Sequence, residues 1–197
     1  MVTVTTTYLE QTDPDDLRPA RPPDEIAVVR AGIPSPELSR FLYTAVGGDW
    51  HWIDRLGWSY EHWRTYLDRP GVETWVAWVK GTPAGYVELD PGDDAAVEIA
   101  YFGVLPAFVG HGVGGHLLTV GTARAWDLAK RWPQRPPTRR VWLHTCTLDG
   151  PHAMANYKAR GYRVYRTTEQ DEDVAATPPG PWPGARPAKE GPAGDDG

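Results

Sequence analysis

One stretch of the chain, Val97–Leu118, constrains the fold more than any other. Its first half is rich in β-branched and aromatic residues and ends at Pro106, which is typical of a buried strand. Its second half is rich in glycine and continues into a helical pattern. Small or apolar residues there form one helix face: Val113, Leu117, Gly121, Ala125 and Leu128. The stretch therefore predicts a strand, a glycine turn and a helix, whose free N-terminal amides can bind a phosphate.

Three kinds of phosphate-binding loop contain glycines with a similar spacing. A Walker loop does not fit, because Gly115-His116-Leu117 stands where that loop needs Lys and Ser or Thr. The spacing Gly110-x-Gly112-x-x-Gly115 fits the dinucleotide fingerprint. That fingerprint also needs an acidic residue about 20 positions later, and residues 130–139 contain none. A third kind of loop fits better.

The third kind of loop is defined by residues before and after the glycines. Leu105-Pro106, followed by Val109-Gly110-His111-Gly112-Val113-Gly114 and Leu117-Leu118, resembles the acetyl-CoA loop of the GNAT superfamily of N-acetyltransferases. That family usually has Arg or Gln where this chain has Val109. The difference removes a side chain but no backbone amide.

A second motif supports the same resemblance independently. Ala153-x-x-x-Tyr157-x-x-x-Gly161-Tyr162 is similar to a C-terminal segment of the family. An Asn common just before that segment is replaced by Asp149-Gly150, which removes one expected cofactor hydrogen bond. The resemblance covers roughly residues 25–166.

Ser35 and Ser59 are expected to cap the first two helices, and the helix that begins near Val113 is expected to end near Arg131, before a proline-rich stretch.

The residues predict the element order β-β-α-α-β-β-β-α-β-α-β, from a strand at residues 2–9 to one at 162–166. The resemblance implies an α/β (α+β) GNAT fold with a mixed, mostly antiparallel, twisted sheet. That sheet would have about six to seven strands, about four flanking helices, and a splay around the cofactor. We expect an N-terminal strand and linker over residues 1–24, packed on a domain over 25–166. Residues 167–197, acidic and then rich in Pro and Gly, are expected to be disordered.

Composition excludes several classes of protein. The formal net charge is −6, and residues 167–197, with seven acids and two bases, account for −5 of it. The remaining charge of about −1 does not suit nucleic-acid binding. Apolar runs are too short to span a membrane and no signal pattern is present, so we expect a soluble cytoplasmic protein. Cys146 and the six histidines show no metal-ligand spacing, so no metal is expected.

The resemblance implies acetyl-CoA as cosubstrate, with its pyrophosphate on the amides of the glycine loop. The cofactor-binding residues that follow are Val104, Val109, Gly110, His111, Gly112, Val113, Gly114 and Gly115. The alternative is a glycine-rich turn without a ligand.

Four residues are candidates for proton transfer. Glu98 is the ionisable residue of the predicted central strand, and the resemblance implies a base there. It could instead lie on a solvated face or in a structural ion pair. Tyr157 matches the family tyrosine that can protonate the leaving thiolate. Its alternative role is that of an aromatic side chain packed on the sheet.

Glu88 and His144 are the other two candidates, each for the role of base. Glu88 is either an alternative base or a surface acid beside a turn. His144 is a base or, as favoured here, a satisfied core histidine.

A loop between the first two predicted helices is the candidate acceptor site. The family binds its acceptor there, and aromatic and acidic side chains suit a cation: Asp49, Trp50, Trp52 and Asp54. The tryptophans could equally close the end of the core. Glu88 and His144 are further candidates for contact with the acceptor.

The predicted function is transfer of an acetyl group from acetyl-CoA to a primary amine of a small molecule, by direct attack in a ternary complex. Cys146 has no partner spacing for a nucleophile, which disfavours an acyl-enzyme. The alternatives are acetylation of a protein or peptide amine, and a catalytically weak acyl-CoA-binding module. A homodimer is left open; neither nucleic acid nor membrane is expected as a partner.

Overall fold

A twisted sheet of seven strands forms the centre of the molecule, in a computed structural model that describes residues 1–92 and 94–185. The strands are β1 (Val2–Gln11), β2 (Ile26–Arg30), β3 (Glu73–Val79), β4 (Thr82–Pro91), β5 (Ala96–Val104), β6 (Arg140–Cys146) and β7 (Arg163–Glu172). Their order in the sheet is β2-β3-β4-β5-β6-β1-β7. β5 and β6 are parallel, and every other neighbouring pair is antiparallel. The predicted mixed, mostly antiparallel sheet is confirmed.

Within residues 1–92 and 94–185, five α-helices accompany the sheet: α1 (Pro36–Gly47), α2 (Tyr60–Leu67), α3 (Val113–Trp126), α4 (Leu128–Arg131) and α5 (Ala153–Ala159). The predicted N-caps of α1 and α2 are confirmed, because Ser35 and Ser59 each accept a backbone amide hydrogen bond through the side chain. The helix predicted to run from 113 to about Arg131 is interrupted at Asp127. None of the helices in the described part of the chain is long and apolar enough to cross a membrane.

The main core lies between α3 and the middle of the sheet. Leu117 and Leu118 of α3 are fully buried against residues of β4 and β6. A Cβ atom on Gly121 would lie 2.8 Å from both methyl groups of Val87. The glycine therefore lets α3 approach β4 closely, which fixes the position of the helix N-terminus over the sheet.

The sheet opens between its two parallel strands. Pairing joins Ala96, Val97 and Glu98 to Arg140, Val141 and Trp142, and it stops there. Beyond Glu98 and Trp142 the two strands separate, so the predicted splay is confirmed. Their unpaired ends line a cleft.

Both predicted domain boundaries need correction. β1 lies between β6 and β7 and pairs with both, so a domain that begins at residue 25 omits an interior strand of the sheet. β7 continues to Glu172, because residues 167–172 pair with Val2–Thr7. The prediction of disorder is therefore wrong for residues 167–172. Residues 173–185 are described below, and 186–197 lie outside the described residues.

Candidate active site

A cleft of about 810 Å³ occupies the gap between β5 and β6. It is lined by the turn before α3 and the first residues of that helix. The α1–α2 loop and the β6–α5 loop also line it. The cleft therefore joins the predicted cofactor loop to the predicted acceptor loop.

The turn before α3 has the backbone conformation that glycine favours. Gly110 and Gly112 have φ of 84° and 78°, which are left-handed values. Gly112 is the N-cap of α3 and supplies no side-chain cap, so the first-turn amides keep their hydrogen-bonding capacity. Free amides at the positive end of a helix dipole suit a phosphate.

Most of the predicted cofactor residues border the cleft: Val104, Val109, Gly110, Gly112, Gly114 and Gly115. Two others do not. His111 is exposed, and Val113 is buried in the core with 2 % of its surface accessible. Only their backbone amides are therefore available for the predicted role.

The surroundings of Gly114 show how much space the cleft leaves beside the N-terminus of α3. A Cβ atom on Gly114 would lie 3.8 Å from Val104 and 3.9 Å from both Phe102 and Asn156. All four residues border the cleft, so the missing Cβ leaves a narrow space beside the helix N-terminus. Small residues and free amides at this place fit a pyrophosphate group.

Glu98 and His144 form a pair at the point where the strands separate. Glu98 Oε1 lies 3.1 Å from Nδ1 of His144. The hydrogen bond to Glu98 raises the pKa of the His144 imidazole, against the effect of burial. His144 borders the cleft and its side chain is 47 % exposed, so the favoured interpretation as a core histidine is wrong. Glu98 is not among the residues that border the cleft, and its side chain is 22 % exposed.

Tyr157 borders the cleft from α5 and is 6 % exposed. Its ring packs edge-on against Phe102 and Tyr162, at centroid distances of 6.0 and 6.4 Å. Burial, and secondarily the charge of Asp149, raises the pKa of its phenol. The phenol of Tyr157 is therefore neutral at physiological pH. Tyr157 packs on the sheet and also borders the cleft, and its role as a proton donor stays a prediction.

The acceptor loop divides into residues that face the cleft and residues that do not. Trp50, Trp52 and Asp54 border the cleft, whereas Asp49 does not. Trp52 also packs on Tyr101 and Tyr43, with ring centroids 4.9 and 5.6 Å apart, so it closes the end of the core as well.

Glu88 does not border the cleft. Its side chain is 1 % exposed, and its Oε1 accepts hydrogen bonds from Arg55 at 2.8 Å and Tyr66 at 2.7 Å. Burial raises the pKa of the Glu88 carboxyl, and the neighbouring Arg55 opposes that shift. The predictions of Glu88 as a base, an acceptor contact or a surface acid are therefore wrong; it is a buried partner of Arg55.

Sequence reasoning missed several cleft residues. Asp149 accepts hydrogen bonds from the Thr145 hydroxyl at 2.6 Å and the Cys146 amide at 3.0 Å, which hold its carboxylate at the cleft. Asn156, one position before Tyr157, borders the cleft and could have been found from its place in the second motif. Glu172, Asp173 and Val174 also border the cleft. No local sequence pattern predicted their place there.

Cys146 borders the cleft as well. Burial and the nearby Asp149 raise the pKa of its thiol, so it stays protonated and is a weak nucleophile. Within residues 1–92 and 94–185, no three His, Cys, Asp or Glu side chains are grouped so that they could hold a metal ion.

Fold and cleft together place a helix N-terminus without a side-chain cap in the same cleft as acidic and aromatic residues. The model of the acetyltransferase (GNAT) family matches residues 39–162, more than half of the chain. The chain therefore belongs to the GNAT family of acetyltransferases. A search of the curated proteins found no match.

Solved structures share the fold at low sequence identity. A GCN5-related N-acetyltransferase from Kribbella flavida is 16% identical over 83% of this chain and 55% of its own, with a TM-score of 0.60. One from Sphaerobacter thermophilus is 17% identical over 84% of this chain and 50% of its own, with a TM-score of 0.58. An aminoglycoside acetyltransferase from an uncultured soil metagenomic sample is 13% identical over 70% of this chain and 88% of its own, with a TM-score of 0.55. The chain spans about half the length of the first two structures.

Proposed function

We propose that this chain transfers an acetyl group from acetyl-CoA to a primary amine of a small molecule, by direct attack in a ternary complex. The observation that carries the proposal is the continuous cleft between β5 and β6. It runs from the amides before α3 to the acidic and aromatic α1–α2 loop. One cleft can therefore hold both substrates with their reacting ends together.

The helix N-terminus binds the cosubstrate in this proposal. The amides of Val109–Gly115 would hold the pyrophosphate, and Gly114 leaves room for its close approach. Bound acetyl-CoA supplies the acetyl thioester. Direct transfer is supported by the raised pKa of the Cys146 thiol, which disfavours an acyl-enzyme at that residue.

The pair Glu98 and His144 removes the proton from the attacking amine. His144 donates Nδ1–H to Glu98, which leaves Nε2 as the ring nitrogen that takes a proton. Glu98 holds the ring in place and stabilises the imidazolium that forms. The proposal thus moves the role of base from Glu98 to His144, because His144 is the member of the pair that borders the cleft.

Tyr157 supplies the proton that the leaving thiolate needs. Its raised pKa keeps the phenol protonated, and its packing against Phe102 and Tyr162 holds the hydroxyl at the cleft. A positioned acid of this kind contributes about a hundred- to ten-thousand-fold to a rate.

The charge of the lining supports a cationic acceptor. Among the described residues, four carboxylates border the cleft: Asp54, Asp149, Glu172 and Asp173. None of the described lining residues is Lys or Arg. Trp50 adds an aromatic surface that can stack on an apolar part of the amine or attract its charge.

The test is release of free CoA from acetyl-CoA by the purified chain, measured with a thiol reagent against a panel of amines. Diamines, polyamines, amino sugars and amino acids represent small molecules, and lysine-containing peptides represent the protein alternative. Stimulation by a small amine is the expected result. Binding of CoA by calorimetry, without stimulation by any amine, would favour the acyl-CoA-binding module instead.

A further inference from the structure

The last described residues of the chain pack against the loop that holds the acceptor residues. After β7 ends at Glu172, the chain continues across the α1–α2 loop. The carbonyl oxygen of Ala175 lies 3.0 Å from Nε2 of His51. The amide of Gly180 donates a hydrogen bond of 2.9 Å to the carbonyl of Gly48. Two contacts thus join the C-terminal segment to one loop.

The backbone contact at Gly48 is close. A Cβ atom there would lie 2.5 Å from both the carbonyl carbon of Gly180 and the nitrogen of Pro181. Real Cβ atoms do not approach other atoms so closely, so a larger residue at position 48 would displace the segment. The segment therefore packs directly on the backbone of Gly48, in space that a side chain at position 48 would occupy.

The beginning of the same segment forms part of the cleft. Glu172, Asp173 and Val174 border the cleft, as do His51 and Asp54 of the loop. Burial, Asp149 and, more weakly, Glu172 raise the pKa of the Cys146 thiol, which agrees with a Glu172 carboxylate close to the cleft wall. The segment thus supplies two of the four carboxylates of the cleft.

The carboxylates have a chemical consequence for the substrate. An amine attacks only after losing its proton, and negative charge at the reacting nitrogen would oppose that loss. Carboxylates that do not take part in proton transfer can instead attract a second ammonium group of the same substrate, one that stays protonated during the reaction. The acidic wall therefore suits a diamine or polyamine better than a monoamine.

We infer that residues 172–185 form a specificity-determining wall of the acceptor site for a diamine or polyamine. Glu172 and Asp173 attract the distal ammonium group, and residues 175–185 hold them in place through the α1–α2 loop. This inference rests on the proposed function and names the class of its acceptor.

The experiment compares three forms of the chain with spermidine as the probe. A chain ended after Ala185 retains every described contact of the segment and is the reference. A chain ended after Val174 keeps β7 and the cleft residues but removes the contacts at Gly48 and His51. A third form carries Glu172→Gln and Asp173→Asn in the reference chain. Calorimetry measures spermidine affinity in the presence of CoA, and steady-state kinetics measure the KM of each substrate.

We expect spermidine affinity to fall about tenfold or more in the second and third forms, with its KM rising in parallel. The KM for acetyl-CoA should stay within about twofold, because the amides proposed to hold its pyrophosphate belong to Val109–Gly115 and not to this segment. Equal spermidine affinity in all three forms, or no spermidine binding by the reference, would overturn the inference. Absence of CoA release while the affinities still differ would count against the proposed function alone.

A point variant covers the outcome in which the shortened chain does not fold. His51→Asn removes the contact to Ala175 without shortening the chain. His51 has a φ of 58°, a left-handed value that Asn tolerates. A smaller loss of spermidine affinity in the same direction is expected, and an unchanged affinity would again overturn the inference.

Discussion

Glu98 and His144 face each other across the gap where β5 and β6 separate, with 3.1 Å between Oε1 and Nδ1. Neither strand positions the pair alone. Glu98 is the last residue of β5 that pairs with β6, and His144 lies two positions beyond its partner Trp142. The opening of the sheet therefore places a carboxylate, an imidazole and the cleft side by side.

The pH dependence of the rate should reveal this pair. Glu98 raises the pKa of His144, so Glu98→Gln should lower that pKa and move the acidic limb of the kcat/KM profile to lower pH. His144→Gln should reduce kcat/KM about a hundred- to ten-thousand-fold at neutral pH, with recovery as free amine becomes plentiful at high pH. A Glu98→Gln rate within about threefold of wild type at every pH would remove Glu98 from the mechanism.

Gly114→Ala should weaken CoA binding without weakening the fold. The added Cβ makes ordinary contacts with Phe102, Val104 and Asn156. It also occupies space beside the backbone amides that are proposed to hold the pyrophosphate. Alanine is favoured over glycine in a helix by about 0.5–1 kcal/mol, so the melting temperature should not fall. Calorimetry with CoA should show a loss of at least about tenfold, equivalent to roughly 1.4 kcal/mol. Gly32→Ala is a matched control, because its Cβ would have nothing within 4 Å.

Tyr157→Phe should lower turnover while leaving the structure intact. The ring contacts with Phe102 and Tyr162 do not need the hydroxyl, so the melting temperature should change little. Loss of a proton donor should reduce kcat about a hundredfold or more at every pH below the raised pKa of the phenol. If kcat falls by less than about threefold, Tyr157 has a packing role only.

A buried carboxylate remote from the cleft should dominate the acid stability of the fold. Glu73 is 3 % exposed and accepts hydrogen bonds from Arg131 at 2.8 Å, Trp75 at 2.8 Å and Trp132 at 2.9 Å. Burial alone would raise its pKa, but these hydrogen bonds and the charge of Arg131 lower the pKa below the usual value of a Glu carboxyl. Glu73→Gln should therefore cost about 1.5–3 kcal/mol of unfolding free energy at neutral pH, since it removes the charge that pairs with Arg30 and Arg131, while Arg131 keeps its ion pair with Asp127.

The sign of the pH effect follows from the depressed pKa of Glu73. Its contribution is fully present above the pKa of the unfolded state and is lost as the pH falls through the folded pKa. The difference between wild type and Glu73→Gln in urea unfolding should therefore shrink below about pH 4. Asp68→Asn is a control, since the Arg64–Asp68 pair is exposed and should contribute less than about 1 kcal/mol. A constant difference between pH 7 and pH 3 would show that ionisation of Glu73 is not the cause.

Local signals predicted much of this molecule. The caps at Ser35 and Ser59 and the positive-φ glycines before α3 involve residues within a few positions of each other. Residue type and spacing suffice for such features, because the interactions that stabilise them are short-range. The two motifs at Gly110 and Tyr157 lie where the cleft forms, so the cofactor end of the site was also predictable.

The tertiary structure decided the rest. Only the pairing of residues far apart in the chain placed β1 between β6 and β7 and extended β7 to Glu172. Glu88 and His144 both stand on alternating strands, yet one is buried against Arg55 and the other faces the cleft. Alternation assigns side chains to the two faces of a strand, but what covers each face depends on elements far away in sequence. Burial, charge pairing and the shape of a cleft are therefore properties of the assembled sheet.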